Sequence, residues 1–422
     1  MRNASKTVFL LLALSIASLV QARLQPPPAA RLIKAGRVLD VKGGKYLLDQ
    51  GILTEGEKIK EIGPWTEVQA HAPKDAVMID LSQATLLPGL IDCHAHLLVA
   101  GEVRKDSSEN VAITVPQVSE SLRALIGARN AKEDLDAGIT SARILGHSGN
   151  DGDVALRDAI NSGWIPGPRL QVSARKITPV GGQMSPIAKQ LPPQDFLTVS
   201  GPDEARRAVR ENFANGADLI KIVIDAGSST GGKTLYMAID DAKAIVADSH
   251  RLGLKVTAHA EDNVAVQIAI DAGVDSVEHA WSATDEQLKQ MKDKGIFLVA
   301  TDVLVSTPPK DRLMRAIKIG VKIAMGSDMW LALSGKTRGE ASLLELQVLR
   351  KAGMPDLDII RSATVNAAEL MGWSDRVGEL AAGKFADIIA VTGDPDHDIG
   401  LLQHAQFVMK GATVVRNDFA KN

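Results

Sequence analysis

The chain has 422 residues, 45% of them hydrophobic, and a formal net charge of −3 at pH 7. A chain of this length buries a large core and exceeds the size of one ordinary domain. Its mild acidity offers no footing for nucleic acid or an anionic membrane surface, and with one cysteine, Cys93, it forms no intrachain disulfide.

Arg2 and Lys6 precede an apolar run from Val8 to Val20, and Val20-Gln21-Ala22 offers a cleavage point after Ala22. This pattern predicts a secretory signal peptide over residues 1–22, hence an exported protein, periplasmic or secreted. The apolar run is shorter than the roughly 20 residues of a membrane span, so no stable membrane anchor is expected. Without these residues, 400 remain, with a formal charge of −5. Pro26 to Pro28 then read as an extended lead-in.

Short alternating segments follow, such as Ala35 to Asp40 and Gly51 to Thr54, set between glycine turns. Similar segments return near the C-terminus at Ala386 to Val391 and Phe407 to Val415. The two β-rich ends, residues 23–87 and 377–422, are expected to pair into one small domain. Between them, over residues 88–376, apolar strand candidates alternate with helical stretches. The strands are Leu86 to Leu97, Ile139 to Gly146, Arg169 to Thr178, Asp218 to Asp225, Lys255 to Glu261, Ser276 to Ala280, Ile296 to Val303 and Ile323 to Asp328. Pro202 to Ala214 is a helix candidate with acidic residues in its first turn, and Thr234 to Arg251 contains another. Eight strands alternating with helices predict an α/β fold of the (β/α)8 TIM-barrel type.

The first of these strands ends in His94-Ala95-His96. Strand side chains alternate with period two, so both imidazoles point the same way and can grip one metal ion. Cys93 falls on the opposite face and reads as a packed apolar residue. Other ligand-type residues sit on or at the ends of later strands: Lys221, His259, His279 and Asp328. Lys221 lies in an apolar strand where a bare ammonium is costly. It either pairs with an acid such as Asp225 or loses its proton. A neutral amine beside metal can add carbon dioxide, and the resulting carbamate can bridge two cations.

These residues resemble the amidohydrolase superfamily, in its two-metal branch with a carboxylated lysine. The likeness rests on the Leu87-Pro88-Gly89-Leu90-Ile91-Asp92 lead-in to His94 and His96, on the order Lys221, His259, His279, Asp328, and on the tail Gly378 to Asp387. It implies a distorted barrel with a small β-sandwich assembled from both chain ends. It also implies two divalent metal ions, zinc first among the candidates, with manganese, cobalt or iron able to take the same site. His94, His96 and Asp328 would hold the first, His259 and His279 the second, and a carbamate on Lys221 would join them. Asp328 would shuttle the proton.

Within the superfamily the chain is most similar to Xaa-Pro and Xaa-Arg dipeptidase-like enzymes and ochratoxin-type amidases. The implied partner is a small-molecule amide whose leaving part is an amino acid, in dipeptides, N-acyl amino acids or ochratoxin A; a homo-oligomer is expected. A substrate with a free carboxylate calls for a cation or hydroxyl near the metals. Arg175, Lys176 and Tyr236 are the candidates, and His147 could hydrogen-bond the substrate carbonyl. Relatives often carry histidine after the Gly181-Gly182 pair, but this chain has Gln183 and then Met184, which points to a broader, more apolar pocket. The alternatives are a cyclic-amide hydrolase or lactonase of the imidazolonepropionase type and, outside enzymes, an exported metal-binding or scaffolding protein.

Overall fold

Apolar alternation at both chain ends produces one seven-stranded sheet. The N-terminal end supplies β1 (Arg31–Asp40), β2 (Lys45–Glu55), β3 (Lys58–Pro64) and β4 (Val77–Pro88). The C-terminal end supplies β14 (Ile388–Val391), β15 (Phe407–Lys410) and β16 (Thr413–Asn417). Their order is β16-β15-β14-β4-β1-β2-β3, so β4 and β14 form the seam between the two ends. Ile33, Ile52, Leu86, Ile388 and Phe407 form the apolar interior of this unit. The computed structural model describes residues 30–99, 101–102, 118–183, 195–225, 234–304 and 310–421. The expected leader, residues 1–22, lies outside them. Among the described residues no helix is long and apolar enough to cross a membrane.

The middle of the chain is mixed α/β with parallel strands. One sheet contains β5 (Leu90–Ala95), β6 (Ile139–Ile144) and β7 (Arg169–Val172). A second contains β8 (Lys176–Pro179), β9 (Phe196–Val199), β10 (Leu219–Val223), β11 (Lys255–Ala260), β12 (Ser276–His279) and β13 (Phe297–Val299), in the order β9-β8-β10-β11-β12-β13. Most of these strands are buried on both faces, which is why they read as near-continuous apolar runs. Backbone bonds link the pieces. Asp218 N donates to Val172 O, Ala324 N to Leu298 O, and Cys93 N to Met325 O.

Two expectations change. The strand expected over Arg169 to Thr178 is split at Ser173 to Arg175 into β7 and β8. Ala174 there adopts a left-handed φ of +54°, and its amide donates to the Asp153 carboxylate. The eighth strand, Ile323 to Asp328, pairs through single bridges at Ile323 and Met329 rather than a regular ladder. Gly326 lets it approach β5, because a Cβ there would sit 2.9 Å from the His94 Cβ. Helices between the strands follow their caps. The helix Pro202–Ala214 starts with proline in its first turn and carries Asp203 and Glu204 beside its positive end.

Candidate metal centre

His94 lies in β5 and His96 one residue past its end, two positions on, so alternation turns both toward one face. Asp328 is brought to them by its own backbone, whose N–H donates to His94 O at 2.7 Å, with φ at +49°. His279 ends β12 with φ at +71°, and this left-handed turn swings its ring toward the pair. The rings form a chain of contacts: His96 to His94 at 5.2 Å between centroids, His94 to His279 at 5.3 Å, and His279 to His259 at 4.6 Å. Ligand atoms of His94, His279 and Asp328 all lie within 4.8 Å of one another. That trio spans both of the ligand groups expected from the sequence.

The hydrogen bonds fix which ring nitrogen carries the proton. His96 Nδ1 faces the carbonyl oxygen of Gly146 at 3.0 Å, which only accepts, so Nδ1 donates. His94 Nδ1 faces Glu278 Oε2 at 2.7 Å and donates to it. Thr301 gives its hydroxyl proton to Ala300 O, so it accepts from His279 Nδ1 at 2.7 Å. In the neutral form of each ring, Nε2 then carries the lone pair. Two of these lone pairs face a carboxylate: Asp328 Oδ1 lies 3.0 Å from His96 Nε2 and 3.4 Å from His94 Nε2. Lone pairs at such a separation repel unless a proton or a metal ion stands among them. Burial disfavours a proton on His94, because it pushes that imidazole well below its usual range. The donor set of imidazole nitrogen and carboxylate oxygen suits a divalent metal.

Lys221 projects from β10 and is buried, and its Nζ has no hydrogen-bond partner. Burial lowers its pKa to about 8, with Glu278 and Asp328 opposing the shift. A fraction of free amine is thus present at neutral pH. His259 Nε2 is likewise without a hydrogen bond, its nearest carboxylate oxygens being Glu261 Oε1 at 3.4 Å and Asp225 Oδ1 at 3.5 Å. Burial pushes the Asp328 carboxyl up, and positive charge facing it from His94 and His96 outweighs this and lowers its pKa to about 2. With those rings neutral, a cation held among them has to supply that charge.

Of the candidates for substrate contact, His147 and Lys176 reach this cluster. The His147 ring packs 4.9 Å from that of His96, and Lys176 Nζ lies 2.9 Å from His147 Nε2 and 3.2 Å from Gln183 Oε1. Arg175 does not: it pairs with Glu211 on the helix Pro202–Ala214, because the break between β7 and β8 turns it outward. Tyr236 bridges to Asp225 through its backbone, and its hydroxyl donates to Asp262 at 2.5 Å. Met184 lies outside the described residues.

Sequence reasoning missed Glu278, which is fully buried and also takes hydrogen bonds from Arg143, Ser276 and Thr257. Its neighbour His279 drew attention instead, and strict alternation would have put the two on opposite faces. The left-handed turn at His279 is what lets both serve one centre. Trp281, tilted 5.2 Å from the His279 ring, was also missed. Cys93 is packed as expected, and burial pushes its thiol up to about 12.

The sequence model of the amidohydrolase family matches residues 85–417. An ochratoxinase from Aspergillus niger is 30% identical over 370 residues, covering 76% of this chain and 73% of that protein. An imidazolonepropionase from Symbiobacterium thermophilum is 23% identical over 425 residues, covering 91% and 96%. Among solved structures, a Xaa-Pro dipeptidase with methionine bound in its active site superposes with a TM-score of 0.80 at 28% identity, covering 92% of this chain and 99% of that one.

Proposed function

The chain belongs to the amidohydrolase family, and from that membership we propose a metal-dependent hydrolase of amide bonds to amino acids that keep a free carboxylate. Dipeptides and N-acyl amino acids fall in this class, ochratoxin A among them. The observation that carries the reading is the pair of imidazole lone pairs set against the Asp328 carboxylate. The ochratoxinase and Xaa-Pro dipeptidase relatives support the substrate class.

In this reading His94, His96 and Asp328 would hold one divalent ion, zinc first among the candidates, and His259 and His279 would hold a second. The free amine of Lys221 would add carbon dioxide, releasing a proton, and as a carbamate would serve as a further oxygen ligand. When bound, the ions supply Lewis acidity toward the amide carbonyl and bring the pKa of water from ~16 toward ~7. Asp328 accepts the proton of the attacking water and returns it to the amide nitrogen as the carbon–nitrogen bond breaks. Glu278, Gly146 and Thr301 hold the three rings in one tautomer throughout. The parallel sheets and residues 323–328 are read as one distorted (β/α)8 barrel over residues 88–376, with the seven-stranded sheet as the core of a domain from residues 23–87 and 377–422. The active site then lies at the carboxyl ends of the strands, as barrels arrange it.

The test is a panel of Xaa-Pro dipeptides, other dipeptides and N-acyl aromatic amino acids, incubated with metal-loaded protein and read by mass spectrometry. Release of two products, one of them a free amino acid, is expected, with N-acyl aromatic amino acids turned over better than Xaa-Pro dipeptides. The imidazolonepropionase relatives favour a second reading, a cyclic amide or lactone. Its opening would give a single product heavier by one water, and that outcome alone would replace the first.

A further inference from the structure

Lys176 is 3% exposed and meets no carboxylate at ion-pair distance among the described residues. Burial lowers its pKa to about 7, so an arriving anion would also favour its charged form. Its hydrogen-bond neighbours, His147 Nε2 and Gln183 Oε1, are neutral, and its Nζ stands 4.4 Å from the centre of the Phe196 ring. Asp195 acts on it from farther away and is already engaged, by Arg123 at 2.7 Å and the Gly149 amide at 2.8 Å. Buried lysines without an anion are costly, so a fold that keeps one needs a reason.

The backbone is shaped around this side chain. A Cβ on Gly146 would lie 2.5 Å from Lys176 Cγ and 2.8 Å from Cδ, and Gly146 sits at φ +92°. The same glycine offers its carbonyl to His96. The lysine stem and a proposed metal-holding ring thus share one residue.

We propose that Lys176, His147 and Gln183 form the subsite for the carboxylate on the amino-acid half of the substrate. The inference rests on the amidase reading above and names which end of the substrate these residues hold. Lys176 spends two protons on His147 Nε2 and Gln183 Oε1 and has a third to give. His147 accepts through one ring nitrogen and keeps a proton on the other, and Gln183 keeps its amide protons. Each of the three residues thus keeps a proton to donate beside Lys176 Nζ. In an amide to an amino acid, the carboxylate carbon lies only ~3–4 Å from the scissile carbonyl carbon. That reach matches the single imidazole, His147, which separates Lys176 from His96.

The test compares N-acetyl-L-phenylalanine with N-acetyl-L-phenylalaninamide, using metal-loaded full-length protein and its Lys176→Met variant. A charge-assisted hydrogen bond corresponds to ~10–100-fold. The expected result is a collapse of the acid-over-amide preference in kcat/KM by that factor, carried by KM for the acid, in a variant whose melting temperature is equal or higher. A structural lysine would instead lower the melting temperature and depress both substrates alike, and that result would overturn the proposal, as would an unchanged preference. Gln183→Leu provides a second variant, with a smaller loss confined to the acid. If the parent cleaves neither probe, the amidase reading is left to the substrate panel above, and calorimetric binding of N-acetyl-L-phenylalanine decides the subsite. Binding weakened by Lys176→Met supports it, whereas equal or absent binding refutes it.

Discussion

The two sides of the histidine cluster are built differently. On the β5 side, His94 and His96 are tied from behind by Glu278 and Gly146, and Asp328 is fastened by its own backbone to His94. On the β10 and β11 side, Lys221 Nζ and His259 Nε2 have no hydrogen-bond partner. The first side is pre-organised by protein groups that fix tautomer and ring angle. The second leaves these buried polar atoms without protein partners. One site therefore combines a rigid anchor with a wall whose polar atoms the protein leaves without hydrogen bonds.

The largest effect is expected on the second wall. Lys221→Met should lower amide hydrolysis by at least ~10³-fold, the scale of removing a group that stabilises developing charge. Bound metal, measured by plasma mass spectrometry, should drop with it, while the melting temperature of the metal-free protein holds or rises. Full activity in the variant would remove the distinction between the two sides. Asp328→Asn comes next, with activity falling by ~10²–10⁴-fold, the range of a lost acid–base group, and metal retained. Loss of the metal along with activity would show that Asp328 serves as ligand before proton carrier.

Glu278→Gln probes the anchored side. Metal affinity should weaken by ~10–100-fold, as for other groups that orient a ligand. Stability should fall by about 3 kcal/mol, because the buried Arg143 loses its charged partner. Urea unfolding of the metal-free protein separates the second effect from the first.

The smallest effect on activity is expected at Asp134, and it is informative for that reason. Both its carboxylate oxygens are buried without a hydrogen bond, and Arg338 Nε is 4.0 Å away. Burial raises its pKa from 3.8 to about 7. The folded state then holds a proton that the unfolded chain releases as pH rises through about 4, so stability declines between pH 4 and 7 and the full cost applies above 7. Asp134→Asn should raise stability at pH 8 by up to about 4 kcal/mol, with the gain vanishing near pH 4 and activity unaffected. Melting curves at the two pH values check this. A gain accompanied by lost activity would place Asp134 in the site rather than in the packing behind it.

Much of the cluster was legible in the chain itself. Alternation is local, so His94-Ala95-His96 declared a shared face without any knowledge of the fold. The spacing of apolar strands likewise announced parallel α/β pairing, and the β-rich ends announced a common sheet. Arg175 shows where that legibility stops. Its place beside Lys176 made the two equal candidates, yet the break at Ala174 sends one to Glu211 and the other to His147.

What the sequence determined by itself was the kind of chemistry: residue types and periodicity identify nitrogen and oxygen donors at strand ends. Only the tertiary structure decided the arrangement. Left-handed turns at His279 and Asp328 bring those two donors to one point, and Glu278 reaches His94 across 184 residues. Periodicity describes neighbours along a strand, whereas a shared centre depends on how strands pack beside one another and where the backbone leaves its regular path.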